Sequence, residues 1–449
     1  MKLMSIAGLF LSALAFSAGP AAKIPPVKFT DTRLDNGLRV IIAEDHYAPV
    51  YSIAVDYMVG SRDERKGRTG FAHLFEHMMF KGSEKVGPGE HFLLIFNNGG
   101  NMNGTTDADR TLYFETLPKN QLDLGLFLES DRMRSLVITK ENLDNQRNAV
   151  QEERRLGLDN QPYGRTEEQI EEMAFDNFAY KHSTIGSMED LTAATVDDVK
   201  EFFKTYYAPN NAILVLVGDL DTADTLARVK KYFGDIPKQP AAPAVDMTEP
   251  VQTAERRAQI EDKLARMARV DLAFKLAPGN TADFYPMQVL GNILSTGESS
   301  RLYQKLVKEA EVATSVAGYV DERRGPSLYR ITATVRPGKT PQQVDKLLGE
   351  EIARLSSEPV TAGELDRARN AQRREAVQSR ESSLYRAIYL GEFSVGFNDP
   401  GLINTRLDKI MAVTADDVQR VAKAYLKPEQ RTVIYTLPVT APRAGAASQ

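Results

Sequence analysis

The sequence predicts an α+β protein of two homologous domains, each a mostly antiparallel sheet covered by helices, facing each other across a linker. Three observations carry this. Strand-like runs such as "LRVIIAED", "YSIAVDYMV", "TLYFETLP" and "AILVLVGDL" alternate with helix-like stretches such as "NQLDLGLFLESDRMRS" and "TKENLDNQRNAVQEERRL". An internal echo is present: "TVDDVKEFFKTYYAPNNAILVLVGDL" from Thr195 resembles "TADDVQRVAKAYLKPEQRTVIYTLP" from Thr414. Between the copies lies "GDIPKQPAAPAVDMTEPVQTAERR", rich in proline and poor in hydrophobic periodicity. The strand order is not legible from these signals.

Taken from the N-terminus, residues 1–22 have the anatomy of a secretory signal peptide: Lys2, an apolar stretch from Leu3 to Phe16, then small residues, with cleavage expected between Ser17 and Ala22. The stretch is short for a membrane span, so no stable span is expected after cleavage, and the mature chain is expected to be periplasmic or secreted. Residues 24–235 form the first domain, 236–256 the linker, 257–441 the second domain, and 442–449 a small, polar, flexible tail. The chain has no cysteine, which excludes disulfides, thiolate ligands and a catalytic thiol. A net charge of -5 with no long Lys/Arg run argues against a nucleic-acid partner.

The first domain holds the chemistry. "TGFAHLFEHMMFKG" spends two of the chain's five histidines four residues apart. Thr69 reads as an N-cap, the interior lacks Pro and Gly, and Gly82 reads as the stop. On a helix, His73, Glu76 and His77 share a face, so the imidazoles can reach one ion. Imidazole and carboxylate are zinc ligands, and a catalytic zinc takes three protein ligands with one position left open. The bland alternative is a pair of ordinary histidines at the polar corner of a buried helix. The downstream helix "NLDNQRNAVQEERR" offers Glu152 and Glu153, and on chemistry alone either serves as third ligand.

H-x-x-E-H is the inverzincin motif. With "LDNGLRVIIAED", "GGNMNGTTDADRTLYFETLP", "NQRNAVQEERR", "NQPYG" and "SSRLYQKLVKE" in the same order, nearly the whole mature chain resembles the pitrilysin/insulinase family of zinc metallopeptidases. That resemblance implies Zn2+ held by His73, His77 and Glu153, with Glu152 pointing away. It implies Glu76 as general base on zinc-bound water in a zinc-dependent endopeptidase that hydrolyses peptides or unfolded polypeptides. It also implies that Asn103, Gly104 and Thr105, on an edge strand, bind substrate by strand addition, where the residues alone read as an ordinary hairpin. A second carboxylate common in the family is Gln146 here. A His2Glu set also accepts manganese or cobalt.

The second domain lacks the motif. The family's arginine and tyrosine, which hold the substrate carbonyl, fall at Val307 and Thr314, so both are missing. Arg301 and Tyr303 read as helix packing. The resemblance therefore implies the catalytic half of a heterodimer, its partner a related chain that lacks the zinc motif and supplies the Arg/Tyr pair. The competing readings are a catalytically silent structural or assembly subunit and a zinc-binding protein of the same fold. His91 and His182 read as structural or surface residues, and His46 as a loop residue.

Overall fold

The computed structural model describes residues 24–439, so the signal-peptide cleavage site and the tail at 442–449 lie outside the described residues. The first sheet contains β1 (Thr30–Arg33), β2 (Arg39–Glu44), β3 (Val50–Tyr57), β4 (Asn101–Thr106), β5 (Thr111–Pro118) and β6 (Ala212–Gly218), in the order β1-β2-β6-β3-β5-β4. The second contains β7 (Arg256–Asp262), β8 (Arg269–Pro278), β9 (Ala313–Asp321), β10 (Pro326–Val335) and β11 (Arg431–Pro438), in the order β7-β11-β8-β10-β9. Within each sheet one pair is parallel, β2 with β6 and β7 with β11; the other pairings are antiparallel.

The echo in sequence is an echo in space. Thr195 and Thr414 each close a capping box with the aspartate three residues on, at the start of the helices Val196–Tyr206 and Ala415–Tyr425. A short turn at Pro209 or Pro428 follows, and then β6 or β11, each parallel to one neighbour and antiparallel to the other. Every residue of β6 is buried, because helices cover both faces of its sheet. That is why "AILVLVG" reads as a continuous apolar run and not as an alternation.

Each half completes the other. The helix Ser383–Phe397, late in the chain, lays Ala387 and Leu390 on Ile41, Ala54, Leu112 and Val215 of the first sheet. A Cβ on its Gly391 would lie 1.9 Å from a carboxylate oxygen of Asp56, so the approach needs glycine. Reciprocally, a helix of the first half, Gly164–Ala174, packs Ile170 and Ala174 against Ile260, Ala273, Leu328 and Ile434 of the second sheet. The linker has no regular structure, yet it is fastened. Asn177 donates to the carbonyls of Asp246 and Thr248, and Glu249 accepts from the amides of Asp176 and Asn177 and from Lys275.

Candidate active site

The motif helix, α1, spans Phe71–Met78. Thr69 is not its N-cap. The capping position is Gly70, in a left-handed conformation (φ +81°) without a side-chain cap, and Thr69 instead donates its hydroxyl to Asp190 at 2.6 Å. The helix's free amides go to Glu64, which accepts from Gly70 N at 2.9 Å and Ala72 N at 2.8 Å. A buried carboxylate at a helix N-terminus meets both unpaired N–H groups and the positive end of the dipole. Glu64 is held in turn by His182 Nε2 at 2.9 Å, while His182 Nδ1 donates to the Phe178 carbonyl. Burial acts to lower the His182 pKa, but the bond to Glu64 overrides it and the net shift is upward. The helix also ends before Gly82: Met79 is its C-cap, one further turn follows, and Gly82 (φ +104°) bends the chain away.

His73 and His77 stand edge to face with ring centroids 4.8 Å apart. Glu153 comes from the helix α2 (Lys140–Arg154), whose N-cap is Thr139. Its Oε2 lies 3.6 Å from His73 Nε2 and 3.3 Å from His77 Nε2. Glu152 turns outward to Arg155, and Gln146 is buried beside Asn145. The end of α2 is anchored by Arg154, which binds Glu168 and the Gly186 carbonyl. Burial, and then the neighbouring His77, push the His73 imidazole down to about 4, so at neutral pH it is an uncharged donor. The bond from His77 lowers the Glu153 carboxyl and keeps it ionised. Two imidazole nitrogens and a carboxylate oxygen, all within 4.8 Å of one another, fit a divalent cation.

Glu76 lies on the same helix but turns toward β4. Its Oε2 accepts a 2.5 Å hydrogen bond from the Thr106 hydroxyl, and a Cβ on Gly104 would sit 3.0 Å from its Cγ and Oε1. Burial raises its pKa, and the Thr106 bond works against that rise. Thr106 and Glu64 are functional neighbours that the sequence reading missed. For Thr106 a signal was available, because it shares strand parity with Gly104.

β4 is one of the two edge strands of the first sheet, β1 being the other. The register Gly104↔Tyr113, with Asp107 N bonded to Arg110 O at the hairpin end, turns the backbone N–H and C=O of Met102, Gly104 and Thr106 outward. Asn103 and Thr105 are exposed; Asn103 accepts from the Gly104 amide and Thr105 binds Arg110.

A second cluster, His91, Glu115 and Glu129, has the same spacing, but it is sealed in the core and a cation is already there. Arg132 binds Glu129 and stacks on Tyr113 and Phe80. His46 is exposed in a loop beside Asp219 and Glu44. In the second half Val307 packs on the core and Thr314 is exposed on β9. Arg301 binds Glu364 of a neighbouring helix and Tyr303 packs on the same core.

Comparison with known proteins matches the Insulinase (Peptidase family M16) profile to residues 39–187 and the Peptidase M16 inactive domain profile to residues 193–372. The chain belongs to the insulinase family, peptidase family M16. Among its M16 relatives is zinc protease PqqE of Helicobacter pylori, 28% identical over 97% of this chain and 98% of that one. Mitochondrial-processing peptidase subunit beta of Blastocladiella emersonii is 22% identical over 96% and 93% of the two chains. A Helicobacter pylori protease structure superposes with a TM-score of 0.88 at 28% identity, covering 92% of this chain and 100% of that one. The first half of the Escherichia coli periplasmic protease PqqL gives 0.74 at 20% identity, covering 93% of each.

Proposed function

We propose that this M16 chain is a zinc-dependent endopeptidase acting on peptides or unfolded polypeptides. The observation that carries the reading is the convergence of His73, His77 and Glu153, with Glu76 held beside them under an open strand edge. Zinc held by those three side chains would make a coordinated water acidic enough to ionise near neutral pH. Glu76 takes the proton from the attacking water and later delivers it to the leaving amine. The open edge at Met102, Gly104 and Thr106 pairs with substrate backbone once Asn103 Oδ1 releases the Gly104 amide, with Asn103 and Thr105 flanking it, which suits an enzyme reading main chain more than side chain. The uncharged His73 and ionised Glu153 suit the ligand roles.

The chain acts as the catalytic half of a heterodimer in this reading. Val307 and Thr314 stand where the family's carbonyl-holding arginine and tyrosine are expected, and the loss of such donors costs roughly a hundredfold to a thousandfold in rate. A related chain without the zinc motif would supply them. The N-terminal residues support a periplasmic or secreted location, and among the described residues no helix is long and apolar enough to cross a membrane.

The test is mass-spectrometric cleavage of an unstructured peptide mixture by the zinc-loaded mature chain and by Glu76→Gln, with and without a candidate partner. Cleavage that needs Glu76 establishes the peptidase, and cleavage that also needs the partner establishes the divided enzyme. Bound zinc with no cleavage under any condition overturns the reading in favour of a silent subunit or a zinc-binding protein.

A further inference from the structure

The Glu76 carboxylate has one hydrogen bond to another residue among the described residues, and it comes from Thr106. A carboxylate on a glutamate side chain turns easily about its last torsion, whose energy wells are broad. A base that must meet one proton in one place needs that freedom removed. Three features do so here. The Thr106 hydroxyl holds Oε2 at 2.5 Å. Gly104 lies flat against the other side of the carboxylate, where a side chain would stand 3.0 Å from Oε1. The strand end carrying both residues is itself clamped: Asp107 Oδ1 accepts from the amides of Asp109 and Arg110, the carbonyls of Asp107 and Ala108 accept from Ser61 and Arg62, and Arg110 binds the Thr105 hydroxyl.

We propose that Thr106 is a positioning residue for the catalytic base: its hydroxyl occupies one oxygen of Glu76 and so fixes which oxygen, and in which direction, receives the proton. This rests on the endopeptidase reading above. Thr106 offers substrate only its backbone, which any residue but proline retains, so the hydroxyl acts through Glu76 and not through binding. A misplacement of about 1 Å in a reacting group is worth roughly a hundredfold in rate, which sets the scale of the expected effect.

The experiment compares wild type, Thr106→Val, Thr106→Ser and Glu76→Gln, each zinc-loaded, with and without the candidate partner, on a fluorogenic unstructured peptide, with bound zinc measured in every sample. Crystal structures of zinc-loaded wild type and Thr106→Val give the orientation of Glu76 independently of activity. Valine keeps the branched shape and strand preference and removes only the hydroxyl; serine restores it. The expected result is a kcat lower by roughly tenfold to a hundredfold in Thr106→Val, with KM and zinc content unchanged, recovery in Thr106→Ser, and a turned Glu76 carboxylate in the valine variant. Wild-type kcat in Thr106→Val, or Glu76 in its original orientation there, overturns the proposal while the endopeptidase reading stands. Equal inactivity of zinc-loaded wild type and Glu76→Gln, with the candidate partner present as well as absent, overturns both.

Discussion

Glu64→Ala tests whether the motif helix is held from outside its own sequence. The deletion leaves the amides of Gly70 and Ala72 without their acceptor in a buried place. Each buried unsatisfied N–H costs about 1–3 kcal/mol, and loss of the negative charge at the helix start adds up to about 2 kcal/mol. His182, whose Nε2 is bonded to the same carboxylate, loses its partner as well. Water entering the vacated space returns part of this, so the expected loss is about 3–6 kcal/mol, read by equilibrium urea unfolding. His73 is the third residue of the helix, so fraying of the first turn also weakens the metal site, and zinc affinity by chelator competition should fall with stability. Glu64→Gln, which keeps one acceptor oxygen, should fall between the two. A stability change under about 1 kcal/mol with unaltered zinc affinity would refute the cap, because it falls below the cost of even one unsatisfied buried amide.

Glu153→Gln should lower zinc affinity by more than the roughly 10–100-fold typical of losing an outer-shell partner, whereas Glu152→Gln, altering a side chain turned toward Arg155, should leave it within about threefold of wild type; competition with a chromophoric chelator separates the two. Gly391→Ala places a Cβ 1.9 Å from an Asp56 oxygen and should lower the thermal midpoint by lifting the exchanged helix, an overpacking cost of about 1–3 kcal/mol or more. Burial pushes the Glu115 carboxyl up to about 8. The folded chain therefore keeps a proton that the unfolded chain releases near 4.5, and stability falls as pH rises between those values, by at most about 1.4 kcal/mol per unit. Urea unfolding of wild type across that interval should show the fall, and Glu115→Gln should flatten it.

The motif and the fold class were legible because both depend on spacing. His73, Glu76 and His77 share a face by helical period alone, and the echo from Thr195 to Thr414 marks repeated elements. What was not legible depends on contacts between distant residues. Thr69 has the composition of a cap, but the carboxylate that caps the helix is Glu64, braced by a histidine 118 residues further on. His182 had no partner at ligand spacing for the same reason. Thr106 is an ordinary strand residue until the helix beside it is in place. The proline-rich linker reads as a tether, and only the structure shows Asn177 and Glu249 fastening it.

The exchange of helices explains why a half without the zinc motif stays part of the unit. Ser383–Phe397 is rich in apolar residues, and the structure shows that they cover the first sheet. The second half also reaches the edge that Glu76 depends on. Glu392 binds Arg110, the Arg324 amide binds Asp109, and Tyr180 joins Asp109 to the Gly325 amide, so the β4–β5 turn is held from both halves. Thr106, which holds the Glu76 carboxylate, directly precedes that turn. The half without the zinc motif therefore bears on the site through the framework of the first half: it covers the outer face of the first sheet and holds the hairpin from which Thr106 extends.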